Sequence, residues 1–154
     1  MNQINKGKPF PLGSSLTSQG VNFSLIATNA EYVEILLFEK GDSISPKKIF
    51  KLNQNNNTGP YWHIEISNLE EGCIYAFRIK QKNNGINNNY EKKVLLDPCS
   101  RGITGWGVYK RENALKNHEN TNSCLKSVVC DRKLFNLKDY PRPKHSWEET
   151  IIYE

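Results

Sequence analysis

Metal and thiol chemistry are the first possibilities to test against this chain, because clustered cysteines and histidines are what a bound ion or a thiolate nucleophile requires. The four cysteines, Cys73, Cys99, Cys124 and Cys130, include no pair at C-x-x-C spacing, and none of the three histidines sits close to one. The sequence therefore predicts four reduced thiols, no metal and no other cofactor. Aromatic side chains are the second possibility, since flat apolar rings beside hydrogen-bonding groups make ligand-binding walls. Tyr61, Trp62, Tyr75, Trp106 and Tyr109 are the candidates. Trp62 and Tyr75 fall on the apolar phase of alternating segments, which predicts core packing, because a large aromatic dominates the energetics of burial. Trp106 and Tyr109 lie among Gly102, Gly105 and Gly107, outside any alternating segment, and are the least constrained. His63 takes the polar phase and is expected at a surface or an interdomain contact. Arg78 is expected to pair with an acidic group or with another domain.

Charge narrows the partners. The net charge of +5 could suit an anionic surface, but lysine and arginine are scattered among aspartate and glutamate, with no basic helix and no nucleic-acid signature. No nucleic-acid partner is expected. No apolar run approaches the length of a membrane span and the N-terminus lacks an apolar core, so the expectation is a soluble, cytoplasmic chain without a membrane partner.

The elements that must position these residues read as strands. Val21, Phe23 and Leu25 alternate with Asn22 and Ser24, the period-two pattern of a half-buried strand. Val33 to Phe38 is apolar enough to be covered on both faces, and Ile49 to Leu52 is a weaker strand. Trp62, Ile64 and Ile66 alternate with His63 and Glu65; after a turn at 68–72, Tyr75, Phe77 and Ile79 do the same, a spacing that predicts an antiparallel hairpin. Lys93 to Leu96 is a returning strand, stopped at Asp97-Pro98. Asparagine clusters at 53–57 and 83–89 are expected as mobile surface loops. With no amphipathic helix across residues 20–98, the fold class is all-β, an immunoglobulin-like β-sandwich. Residues 110–126 read as a long surface connection, Val128-Val129 as a brief strand, and 131–147 as an extended linker. The apolar run Ile151-Ile152-Tyr153 reads as a buried strand, whose neighbours would belong to a further domain.

In order, these residues resemble the N-terminal region of isoamylase-type debranching enzymes of glycoside hydrolase family 13, which opens with a sandwich of carbohydrate-binding module 48 type. Pro11-Leu12-Gly13, Gly20-Val21-Asn22-Phe23-Ser24, Leu36-Leu37-Phe38, Trp62-His63, Gly72 with Tyr75 and Arg78, Leu95-Leu96-Asp97-Pro98 and Ile152-Tyr153-Glu154 carry the resemblance. Cys99-Ser100 departs from the family's Tyr-Ala, and Lys80 to Asn83 lacks its Gly-Pro. The resemblance is compatible with an isoamylase, a glycogen debrancher or a trehalohydrolase.

The resemblance implies a sandwich over residues 1–109, a connecting segment over 110–145 and, over 146–154, the first strand of a (β/α)₈ barrel otherwise missing from the chain. Relatives cleave α-1,6 branch linkages with a pair of carboxylates carried on later barrel strands. Glu154 is thus a barrel residue without a catalytic role, and no catalytic residue is assigned. The expected function is that of a non-catalytic accessory segment, binding α-glucan (glycogen or starch) or acting as a scaffold for the catalytic barrel. A stand-alone glycogen-binding module and a protein-interaction sandwich are the alternatives. Trp106, Tyr109 and Tyr61 are the candidate glucan contacts; Trp62, His63, Arg78 and Asp97 are assigned interdomain or structural roles.

Overall fold

The computed structural model describes residues 3–82, 92–131 and 144–153. The fold is all-β, a sandwich of two antiparallel sheets. The strands are β1 (Ile4–Asn5), β2 (Gly13–Leu16), β3 (Gly20–Ile26), β4 (Ala30–Phe38), β5 (Lys48–Leu52), β6 (Asn57–Thr58), β7 (Tyr61–Ser67), β8 (Ile74–Gln81), β9 (Gly102–Thr104) and β10 (Lys126–Val128). The first sheet runs β1-β7-β3-β2, with β6 paired to β7; the second runs β5-β4-β8-β10-β9. Alternation decides which side chains meet between them. Val21, Phe23 and Leu25 of β3 and Trp62, Ile64 and Ile66 of β7 pack against Val33, Ile35 and Leu37 of β4 and Tyr75 and Phe77 of β8. Each such side chain contributes about 1.5–3 kcal/mol of burial against the entropy of ordering.

Two expectations are corrected here. β7 and β8 do not form a hairpin: β7 pairs with β3, and β8 with β4, so the turn at 68–72 carries the chain from one sheet to the other. Alternation shows which face of a strand is buried and is blind to which neighbour it pairs with. The segment at 93–96 contributes one bridge, Leu95 to Phe77, rather than a strand. At the C-terminal end, a 3₁₀ turn at Trp147–Glu149 precedes Ile151, Ile152 and Tyr153, which are exposed. A strand forms through ladder hydrogen bonds, and no described strand pairs with this run.

The stretch read as a surface connection is built into the second sheet. Its end is β10, which lies between β8 and β9. Upstream of it, a short helix α1 (Arg111–Leu115) and a 3₁₀ turn at Thr121–Ser123 cross the outside of that sheet. Val94 and Cys124 close over Leu36, Phe38 and Ala76, a second apolar cluster separate from the main core. The outward side chains Leu36 and Phe38 of β4 are therefore covered as well as its inward ones. The first asparagine cluster is a capped turn, with the Asn55 amide donating to Asn53 Oδ1 at 2.9 Å. The second cluster, most of the linker over 131–147 and Glu154 lie outside the described residues.

Candidate functional site

On the first sheet, the outward side chains of β3 hold a segment of the N-terminus. Residues 6–11 form a strap across that face. The Lys8 amide donates to Asn22 Oδ1 at 2.7 Å, and Asn22 Nδ2 returns a bond to the Lys8 carbonyl at 3.0 Å. Ser24 Oγ donates to the Pro9 carbonyl at 2.7 Å. Gly7, at φ +72°, lies so close to the backbone of Ile64 and Glu65 that any Cβ would overlap it. The strap ends in a cis Phe10–Pro11 bond that leads into β2.

This strap explains His63. The ring is 1% exposed, against the expectation of a surface or interdomain position. Its Nδ1 donates to the Lys6 carbonyl at 2.9 Å, which leaves Nε2 of the neutral ring to accept from the Thr58 hydroxyl at 2.9 Å. The polar phase of β7 is thus buried beneath a strap that bonds to it. Trp62 is core, its Nε1 donating to the Ala27 carbonyl at 3.0 Å.

Asp97 and Tyr75 form a buried clasp between β8 and the segment that follows the Leu95 bridge. The Tyr75 hydroxyl donates to Asp97 Oδ2 at 2.6 Å, the Cys99 amide to Oδ1 at 2.8 Å, and the Asp97 amide to Ser127 Oγ at 3.0 Å. Burial raises the Asp97 carboxyl above its ordinary value, opposed by the bonds from Tyr75 and Cys99 and by the charge of Arg101. Burial, and then the Asp97 charge, push the Tyr75 phenol upward, so it remains a donor. Arg78 pairs with Glu34 across β4 and β8 at 3.2 Å.

The remaining candidates are on the surface in two pairs. Trp106, 66% exposed, and Tyr109 meet edge to face with centroids 6.2 Å apart, beside the edge strand β9. Their turn is fixed by the Val108 amide donating to Gly105 and the Lys110 amide to Ser123. Gly105 takes φ +97° against the Cys124 and Gly41 carbonyls, where a side chain would crowd both. Tyr61 is half-buried and packs at 4.8 Å against the exposed ring of Phe10. The two pairs belong to different sheets, so the structure does not join Tyr61 to Trp106 and Tyr109. Phe10 was missed as a candidate; its place before Pro11, just ahead of β2, is the only signal the sequence offers.

Phe10 also borders a cleft of about 410 Å³ between the strap and the β2–β3 turn. Its floor is one cross-strand row, Ser15, Asn22 and Glu65. A second cavity of about 570 Å³ lies at one end of the sheets, lined by Leu37, Leu69 and Cys73 with Glu39, Lys47 and Lys48 at its mouth. Burial raises the Cys73 thiol, which keeps it in the unreactive form. Among the described residues, no group of three histidine, cysteine or acidic side chains could hold a metal ion, and no helix is long and apolar enough to cross a membrane.

A small two-sheet sandwich with exposed aromatic pairs, and with buried polar clasps in place of a charged cleft, is the form of a binding or scaffolding module. The comparisons give the family: residues 11–100, more than half of the chain, match Carbohydrate-binding module 48 (Isoamylase N-terminal domain), and the chain belongs to it. It is 30% identical to a glycogen debranching enzyme of Pectobacterium carotovorum, the match covering 100% of this chain and 24% of that protein. The chain thus spans about a quarter of the length of the curated relatives it matches, corresponding to their N-terminal part. Among solved structures, the catalytic module of the glycogen-degrading pneumococcal virulence factor SpuA superposes with a TM-score of 0.62 at 17% identity, covering 90% of this chain and 19% of that one. A pullulanase from Bacillus acidopullulyticus superposes at 0.56 and 20% identity, covering 80% and 12%. At these identities the superpositions establish the fold alone.

Proposed function

We propose that this chain is the non-catalytic accessory sandwich of an isoamylase-type α-1,6-glucan debranching hydrolase, of immunoglobulin-like type, and that Trp106 and Tyr109 supply a contact to glucan. The observation that carries the reading is the match of residues 11–100 to a carbohydrate-binding family. The exposure of Trp106 on a turn held by backbone bonds supports its location. A sugar ring stacks its C–H face on an aromatic plane and needs hydrogen-bonding groups at its edge. Tyr109 meets Trp106 edge to face, so the pair is held without help from a ligand and is presented at little entropic cost. The carboxylates that cleave the linkage belong to the later strands of a barrel and are assigned to no residue here.

Affinity electrophoresis through a glycogen-containing gel tests the reading. The chain is expected to be retarded, and Trp106→Ala to migrate as in the sugar-free gel. Equal mobility with and without glycogen overturns glucan binding, while retardation unchanged by Trp106→Ala overturns the assignment of the turn. Incubation with branched glucan is expected to release no linear oligosaccharide; release would overturn the non-catalytic reading.

A further inference from the structure

The geometry points to a second carbohydrate subsite, in the cleft beside the strap on the first sheet, distinct from the Trp106 turn. It rests on the proposed glucan-binding function and gives that function a second contact on the other sheet. Three observations converge there. The cleft, about 410 Å³, is within the range of about 300–1,000 Å³ that small-molecule sites occupy. One wall is the Phe10 ring, 58% exposed and steadied by Tyr61. Ser15, which lines the floor, carries a buried hydroxyl that has no hydrogen-bond partner among the described residues.

The unmatched hydroxyl is the informative feature. A buried polar atom without a partner is costly, and a ligand group that reaches it is one way to complete it. The groups around it specify that ligand. Glu65 accepts from Asn5 at 3.3 Å, Gln19 accepts from the same amide at 3.3 Å, and Asn22 is committed to the strap. Glu65 and Gln19 thus keep acceptor capacity toward the cleft, and Lys8, which also lines it, carries the charge opposite to that of Glu65. An aromatic wall, hydroxyl and amide groups and a balanced charge suit a neutral polyol, of which an α-glucan chain is the class the family match supplies. A phosphate or a carboxylate would face Glu65 without a compensating second cation.

Amide-resolved NMR titration of the full chain with maltoheptaose, run in parallel on Trp106→Ala, separates the two sites. The expected result is saturable shifts at Ser15, Gln19 and Glu65 that persist in Trp106→Ala and weaken roughly fivefold in Phe10→Ala. Ser15→Ala is expected to weaken the same shifts while leaving thermal stability unchanged or raised, because it removes an unpartnered group; a loss of stability would mark the hydroxyl as structural and overturn its role. Shifts confined to the Trp106 turn overturn the cleft and leave the proposed function standing. Shifts confined to the cleft uphold this inference and remove the Trp106 assignment, and no shift at either site removes both.

Discussion

The strap over the first sheet and the cover over the second do the same task with different forces. Residues 6–11 lie on polar outward side chains and are held by hydrogen bonds to Asn22, Ser24 and His63. The cover of the second sheet, Val94 together with residues 110–125, lies on the apolar outward side chains Leu36, Phe38 and Ala76 and brings Val94 and Cys124 to meet them. Polar clasps are directional and lose little area when they open. An apolar cover loses its whole buried surface at once. The first sheet is therefore covered by a segment that can lift locally, the second by one whose release is close to global unfolding.

The strand that continues from the cover holds the sharpest test of that difference. Lys126 of β10 is fully buried, yet among the described residues its ammonium group meets no carboxylate; it donates to the Gly41 and Thr121 carbonyls at 2.9 and 3.3 Å and lies over the Phe38 ring. It ties the β4–β5 loop to the cover. Lys126→Ala is expected to cost about 3–5 kcal/mol, from the cavity and two orphaned carbonyls together. Lys126→Met refills the volume and is expected to recover about half of that. Urea denaturation measures both. An alanine variant within about 0.5 kcal/mol of the parent would break the claim that the cover is integral.

Next in size is the clasp that holds the segment after Leu95 to β8. Tyr75→Phe is expected to cost about 1.5–3 kcal/mol at neutral pH, the range for a hydrogen bond to a charged group. The pH dependence has a definite sign. Because burial raises Asp97 in the folded state, the native chain holds a proton there that the unfolded chain has released. Over the window between the ordinary carboxyl value of 3.8 and the raised one, this group makes stability fall as pH rises, and above the window its full penalty applies. Removing the Tyr75 donor takes away a bond that lowers Asp97, so its carboxyl ¹³C titration is expected to move further up in Tyr75→Phe. A midpoint at or below the parent's would contradict the clasp.

The same contrast explains what could be read from the chain. Alternation located β3, β7 and β8 and put Trp62 and Tyr75 in the core, because a residue on the apolar phase has only one face to take; β4 was legible as a continuous apolar run. Partner choice was hidden, since β7 satisfies its pattern equally well against β3 or β8. The cover was illegible for a different reason: Asn120, Thr121, Ser123 and Lys126 are all buried, and polar residues satisfied by backbone groups look like surface. His63 was misplaced because a strap remote in sequence buries it. Trp106 was legible as exposed, whereas Phe10 and the Ser15 cleft depend on a register between β2 and β3 that no local pattern states.

A smaller effect is expected at the strap. Asn22→Ala removes both bonds to Lys8, at a cost of about 1–2 kcal/mol. The distinguishing readout is local. Hydrogen exchange at the Lys8 amide is expected to accelerate far more than at the Leu36 or Ala76 amides of the second sheet. Equal acceleration at both would show that strap and cover open together, and the comparison would fail.

The smallest effect belongs to the part of β4 and β8 that neither segment covers. Glu34 and Arg78 are direct cross-strand partners at 3.2 Å, with side chains 17% and 20% exposed, and the Arg78 Nε is buried without a partner. The guanidinium is thus incompletely matched by the one carboxylate that reaches it. An ion pair this near solvent gives up most of its attraction to hydration, so Glu34→Gln, which keeps the shape and one acceptor, is expected to cost about 0.5–1 kcal/mol. Raising salt to about 1 M contracts the screening length to roughly 3 Å and is expected to narrow the difference between parent and variant. A salt-independent loss above about 2 kcal/mol would mean that this pair is as sheltered as the Lys126 site, and that the outer face of the second sheet is covered along its whole length.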